Sequence, residues 1–124
     1  MVVERSGQVL AVRVEQAVTY WTRLVGLLGR STMPDGFALL IRSCASVHTW
    51  FMRFPIDVVF LDADDRVLRI VPELPPFRMA SCLRRACAVL ELASGAASRA
   101  DLQPGDRLLP GGEPDGPGGP VDAR

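Results

Sequence analysis

Ile56-Asp57-Val58-Val59-Phe60-Leu61-Asp62-Ala63-Asp64-Asp65-Arg66-Val67-Leu68-Arg69-Ile70-Val71 is the stretch that decides the fold. Apart from Asp57, its first six residues are apolar at both parities. A half-buried strand alternates, so this run predicts a strand buried on both faces. Asp62 to Arg66 is a polar turn, and Val67 to Val71 returns as a second strand, giving a β-hairpin with a longer loop. Pro55, just upstream, removes a ladder donor and marks an edge or a bend.

Working outward, Val47 to Phe54 reads as a further extended segment and Phe37 to Ile41 as a short, buried strand. Val9 to Glu15 alternates in part, with Leu10, Val12 and Val14 on one side and Arg13 and Glu15 on the other. From Ala17 to Leu28 the period changes: Val18, Trp21, Val25 and Leu28 recur at three and four residues, which predicts a short amphipathic helix with Gly29 as its C-cap. Ser31 to Gly36 is a loop by its turn chemistry. Pro72, Pro75 and Pro76 predict an irregular excursion, and Cys82 to Arg85 is ambiguous. Ala88 to Ala93 reads as a strand holding Glu91, and Pro104-Gly105-Asp106 as a turn leading into a last strand, Arg107 to Leu109. Many short strands with one early helix predict a mainly β single domain over residues 1–110, a compact sandwich or a barrel-like arrangement. Residues 111–124 are Gly, Pro and Asp with little to bury, and predict a disordered tail.

The 124-residue chain is 48% hydrophobic and 23% charged, as in an ordinary globular domain. Its 14 basic residues, all arginine, balance 14 acidic ones. A net charge of zero gives no electrostatic footprint for nucleic acid or an anionic membrane. No apolar run approaches the roughly 20 residues of a membrane span. Met1 to Gly7 has no basic region leading into a sustained apolar stretch, so the expected location is cytoplasmic, where Cys44, Cys82 and Cys87 would be reduced thiols.

The run from His48 to Asp62 collects the single histidine, Trp50, Phe51, Phe54 and the mid-strand carboxylate of Asp57 within otherwise apolar sequence. Polar groups in such a setting cost free energy unless they are paired or used. His48 suits acid–base work or metal binding, or is a strand histidine bonded to a neighbour. Asp57 either serves a site or caps a turn or bulge; Glu91 has the same character, and Arg23 or Arg53 could pair with it. Four zinc ligands exist in principle, Cys44, His48, Cys82 and Cys87. However, an extended chain sets Cys44 about 13 Å from His48, and neither cysteine pair forms a knuckle, so no metal or other cofactor is expected.

These residues also carry a resemblance. Arg23-Leu24-Val25-Gly26-Leu27-Leu28-Gly29-Arg30, Gly36-Phe37-Ala38-Leu39-Leu40, His48-Thr49-Trp50-Phe51-Met52 with Pro55-Ile56-Asp57-Val58-Val59-Phe60-Leu61-Asp62, Leu90-Glu91-Leu92 and Gly105-Asp106 occur in the order seen in domain of unknown function 192. The chain resembles that prokaryotic family from about Arg23 to Leu109. The resemblance implies a mainly β fold with a short helix packed on it, and it supplies no reaction. Some relatives look secreted.

Three functions follow as expectations. The first is a non-enzymatic ligand-binding or accessory module, its pocket lined by His48, Trp50, Met52 and Asp57, with Arg23 and Glu91 nearby, taking a small molecule or a protein partner. The second is a small hydrolase or transferase, with His48 as general base and Asp57 orienting it. A third is a protein-interaction module using a strand edge or the stretch Pro72 to Phe77.

Overall fold

The computed structural model describes residues 1–17, 35–42, 46–48, 54–82 and 86–111. Nine strands and one helix lie among them: β1 (Val2–Val3), β2 (Arg13–Ala17), β3 (Phe37–Arg42), β4 (Ser46–His48), β5 (Ile56–Leu61), β6 (Val67–Leu74), β7 (Met79–Ser81), β8 (Ala88–Ala93), α1 (Ala96–Arg99) and β9 (Leu108–Leu109). The central sheet has the order β2-β3-β8-β5-β6. Only β2 and β3 run parallel; the other neighbours are antiparallel. Two small antiparallel sheets, β1–β9 and β4–β7, complete the fold. The fold is mainly β, as expected. It is not a closed barrel, because β2 and β6 stand at opposite edges of the central sheet and do not pair with each other.

The apolar runs explain which strands are central. β5 and β8 are buried at every one of their six positions, and they pair with each other in continuous register from Ile56↔Ala93 to Leu61↔Ala88. Each large apolar side chain buried there contributes about 1.5–3 kcal/mol. Directly opposed residues share a face, so the sheet has two apolar layers. One holds Ala38, Leu40, Val59, Leu61, Leu90 and Leu92 and packs against Ala97 of α1 and against Val3 and Leu108 of the small β1–β9 sheet. The other holds Leu39, Ile56, Val58, Phe60 and Val89 and packs against Phe54 and against Ala80 of β7.

The hairpin formed by β5 and β6 departs from regular pairing twice. Ile56 faces Leu74 and Val58 faces Val71, so Pro72 and Glu73 together oppose Asp57, a β-bulge in β6. A proline has no ladder donor to lose there, and Glu73 takes the left-handed φ of 51°. At the polar turn, one Asp62 carboxylate oxygen accepts from the backbone N–H groups of Asp64 and Arg66 at 2.8 and 3.0 Å.

Several expectations are corrected at the element ends. The strand expected over Val9 to Glu15 begins only at Arg13, because Leu10 and Ala11 are both buried and the Val12 and Arg13 N–H groups donate to the Gly36 carbonyl. The strand ending at Val71 runs on to Leu74 beyond the bulge. The excursion around Pro75 and Pro76 returns as β7, a strand not expected. Residues 18–34, which carry the expected helix, 49–53, 83–85 and the expected tail from 112 lie outside the described residues.

The two ends of the domain are tied together. Arg5 donates to both carboxylate oxygens of the buried Asp106, at 2.7 and 3.1 Å, and to the Asp101 carbonyl at 2.7 Å. Asp106 also accepts from the Gln103 N–H at 2.8 Å, so the Pro104-Gly105-Asp106 turn is capped by its own aspartate. The Arg5 guanidinium holds the Asp106 carboxyl below its ordinary 3.8; burial opposes this and the Gln103 N–H adds to it. A carboxyl lowered on folding contributes stability that is complete above its unfolded value and is lost as the pH falls through the folded one. Arg5→Ala is therefore expected to be less stable than the wild type at pH 7. In urea titrations that gap should narrow below about pH 4 as Asp106 protonates. A gap that stays constant down to pH 2 would contradict the clamp.

Candidate functional site

Asp57 is the second residue of β5, a strand buried at every position, and is itself fully buried. Its Oδ1 accepts from the Glu73 N–H at 2.9 Å and the Gly95 N–H at 3.1 Å, and its Oδ2 from the Ala97 N–H at 2.9 Å. Each donor is a backbone group that regular pairing leaves over. Glu73 is the bulged residue of β6, Gly95 closes the turn after β8 at φ 89°, and Ala97 lies in the first turn of α1. The helix has no side-chain cap of its own at Gly95; a carboxylate from a different strand supplies the acceptor and favours the positive end of the helix. Asp57 thus joins β5, β6 and α1. Of the two readings of this residue, the capping of a turn and a bulge is what its bonds describe, and the bulge lies at Pro72–Glu73 on the neighbouring strand.

Glu91 is also fully buried, one strand away on β8. The register sets Glu91 opposite Val58 on one side and Leu39 on the other, whereas Asp57 lies opposite Leu92. Opposed residues share a face, so Glu91 belongs to the layer of Leu39 and Val58, and Asp57 to the layer of Leu92 and α1. The central sheet separates the two carboxylates, and they do not converge on one pocket.

His48 ends β4, paired with Met79 of β7. Through Ala80, β7 packs on the Glu91 side of the sheet. Arg23, Trp50 and Met52 lie outside the described residues, as do Arg53 and Cys44. Cys82 is buried and Cys87 exposed, and neither is half of a disulfide. Among the described residues, no three His, Cys, Asp or Glu side chains are placed to hold a metal ion.

A cleft of about 300 Å³ lies elsewhere, at the end of the molecule where α1 meets the segments leading into β2 and β3. Its walls are Val9, Leu10, Ala11 and Val12 from the approach to β2, Asp35 and Gly36 before β3, and Ala96, Arg99 and Ala100 along α1. Val9 and Val12 remain 49% and 43% exposed there. Gly36 is required for the close approach of this wall, because at its φ of 77° a Cβ would meet Val12 Cγ2 at 2.9 Å. Arg99 folds back toward the Ser94 carbonyl at 3.5 Å and faces Asp35 with 3.9 Å between Nη2 and Oδ1. None of these residues stood out in the sequence, where Val9 and Val12 read as strand alternation and Arg99 as one arginine among many.

A mainly β domain, with a five-stranded sheet covered on one face by a short helix and on the other by the two-stranded β4–β7 sheet, is the class these features define. Residues 1–109 match the family described as an uncharacterised ACR, domain of unknown function 192, and the chain belongs to it. A structure of a protein of unknown function from Novosphingobium aromaticivorans is similar, with 26% identity and a TM-score of 0.66 over 76% of this chain and 71% of that one. A Sinorhizobium meliloti protein, provisionally described as a transcription regulator, is similar with 26% identity and a TM-score of 0.67 over 76% and 78% of the two chains. No curated protein matches. Among the described residues no helix is long and apolar enough to cross a membrane.

Removing the carboxylate of Asp57 would leave three N–H groups, buried at Ala97 and part-buried at Glu73 and Gly95, to find new acceptors. Bonds to a charged group are worth about 1.5–3 kcal/mol each and are not additive. Asp57→Ala is expected to cost about 3 kcal/mol or more in urea unfolding, and Asp57→Asn less, since its carbonyl oxygen can still accept. A loss below about 1 kcal/mol for the alanine variant would contradict the assignment.

Proposed function

We propose that this protein is a non-enzymatic binding or accessory module. The observation that carries the reading is the state of Asp57, the carboxylate that stands out most in the sequence. It is buried, and its oxygens serve three backbone N–H groups. A carboxylate that orients a general base would hold that base within about 3 Å and open into a cleft. Asp57 instead lies on the α1 face, while β4, which carries His48, is attached to the other face through β7. This weighs against the hydrolase or transferase reading. A binding function asks less: a concave surface with apolar walls and a few polar groups, which the cleft beside α1 supplies. The description of the Sinorhizobium protein as a regulator is compatible with a domain that senses a ligand rather than transforms one. Zero net charge offers no footprint for direct contact with duplex DNA.

A second reading, a protein-interaction module, is favoured by Phe77 and Met79. Both are exposed: Phe77 ends the stretch Pro72 to Phe77 singled out above, and Met79 is the first residue of β7 just beyond it.

The test is ligand-dependent stabilisation. A binder gains RT ln(1 + [L]/Kd), about 2.7 kcal/mol at a hundredfold excess over Kd. Thermal unfolding against a set of small metabolites is expected to show at least one concentration-dependent rise in Tm. His48→Ala then separates the two places a ligand could sit: it abolishes the gain if the pocket includes His48 and leaves it unchanged if the cleft beside α1 is used. Turnover of any of these metabolites by the purified protein would contradict the proposal.

A further inference from the structure

We infer that the cleft beside α1 binds a free α-amino acid with a small apolar side chain as its zwitterion. The inference rests on the binding-module reading and names the ligand class for that cleft.

The cleft carries one cation and one anion. Arg99 and Asp35 face each other at 3.9 Å, beyond hydrogen-bond distance, with side chains 62% and 94% exposed. An exposed pair this loose contributes little to stability; Arg99 Nη1 donates to the Ser94 carbonyl at 3.5 Å, and the ligand is left the Nη2 that stands beside Asp35. A ligand with a single charge would be drawn to one of them and repelled by the other at nearly the same distance. A zwitterion satisfies both: its carboxylate meets the Arg99 guanidinium, with the planar donor fork that suits carboxylates, and its ammonium meets Asp35.

The remaining walls set the side chain. Val9 and Val12, each about half exposed, line the cleft together with Ala96 of α1 and its C-cap residue Ala100. These are short apolar groups that offer contact area without further polar partners. About 300 Å³ is the lower end of the range for ligand sites, room for a small amino acid rather than a nucleotide or a long peptide. Two constraints hold the wall and the charge in place. Gly36 leaves space that any Cβ would deny to Val12, and Gly95 does the same for Arg99, whose Nη1 would lie 2.9 Å from a Cβ at that position.

The experiment is a two-dimensional NMR titration of the isotope-labelled full chain with L-valine. Two analogues serve as controls: valinamide, which lacks the carboxylate, and 3-methylbutanoate, which lacks the ammonium. L-valine is expected to shift the amides of Leu10, Ala11, Val12, Gly36, Ala96 and Ala100 saturably, with both analogues at least about tenfold weaker, the factor that 1.4 kcal/mol represents. Arg99→Gln and Asp35→Asn should each weaken L-valine by a similar factor while leaving the rest of the spectrum unchanged, since both side chains are exposed. Equal affinity for all three compounds, or no loss in either variant, would overturn the zwitterion inference. Absence of saturable shifts at the cleft amides up to millimolar concentration would overturn it as well. Saturable shifts elsewhere, around β4 and β7, would overturn this inference while supporting a binding module, whereas the metabolite screen judges that broader reading independently.

Discussion

One buried carboxylate holds the architecture together. Asp57 sits in the strand where every other residue is apolar, and burial of so polar a group there is tolerable because three backbone donors converge on it. Those donors come from three irregularities: a bulge containing Pro72, a left-handed turn at Gly95 and the start of a four-residue helix. Each would be costly alone. A bulge strands an N–H, and so short a helix lies far below the length at which helices are stable by themselves. Asp57 answers all of them at once, so the bulge, the turn and α1 depend on one side chain.

The same arrangement governs what is available for function. With its oxygens engaged on the α1 face, Asp57 is an architectural group, and Glu91 belongs to the opposite layer. The two carboxylates that stand out in the apolar strands are thus divided by the sheet that carries them. α1, fixed by Asp57, forms one wall of a cleft whose other walls lie on the approaches to β2 and β3. Through this helix the buried carboxylate acts on the cleft without touching it, as a positioning element.

The sequence was informative where burial is two-sided and turn chemistry is strong. Ile56 to Leu61 and Ala88 to Ala93 read as strands because apolar residues at both parities have few alternatives in a chain this short, and Asp62 to Arg66 read as a turn for its run of polar residues. Short elements were legible only where turn chemistry announced them: β9 followed the Pro104-Gly105-Asp106 turn as a strand one residue shorter than expected, whereas β1, two residues long, and α1 were not expected. α1 is four residues of Ala96-Ala97-Ser98-Arg99 whose acceptor comes from Asp57, 40 positions away in the chain, so no local propensity announces it. Val9 to Glu15 misled because Leu10 and Ala11 are buried consecutively by a bend, not alternately by a strand. Asp57 was visible as an anomaly, a polar residue in an apolar run, but which N–H groups it serves depends on the β6 register and the turn after β8. The cleft left no trace at all, being assembled from ordinary valines, alanines and one exposed ion pair.

Amide hydrogen exchange reads the role of Asp57 in the unmodified protein. If its carboxylate holds β6, the turn and α1 together, the N–H groups of Glu73, Gly95 and Ala97 will exchange as slowly as those in the middle of β5 and β8, through global unfolding only. Exchange at these three positions orders of magnitude faster than in the central strands would show that they open locally. The carboxylate would then not be the constraint on which the fold and its cleft depend.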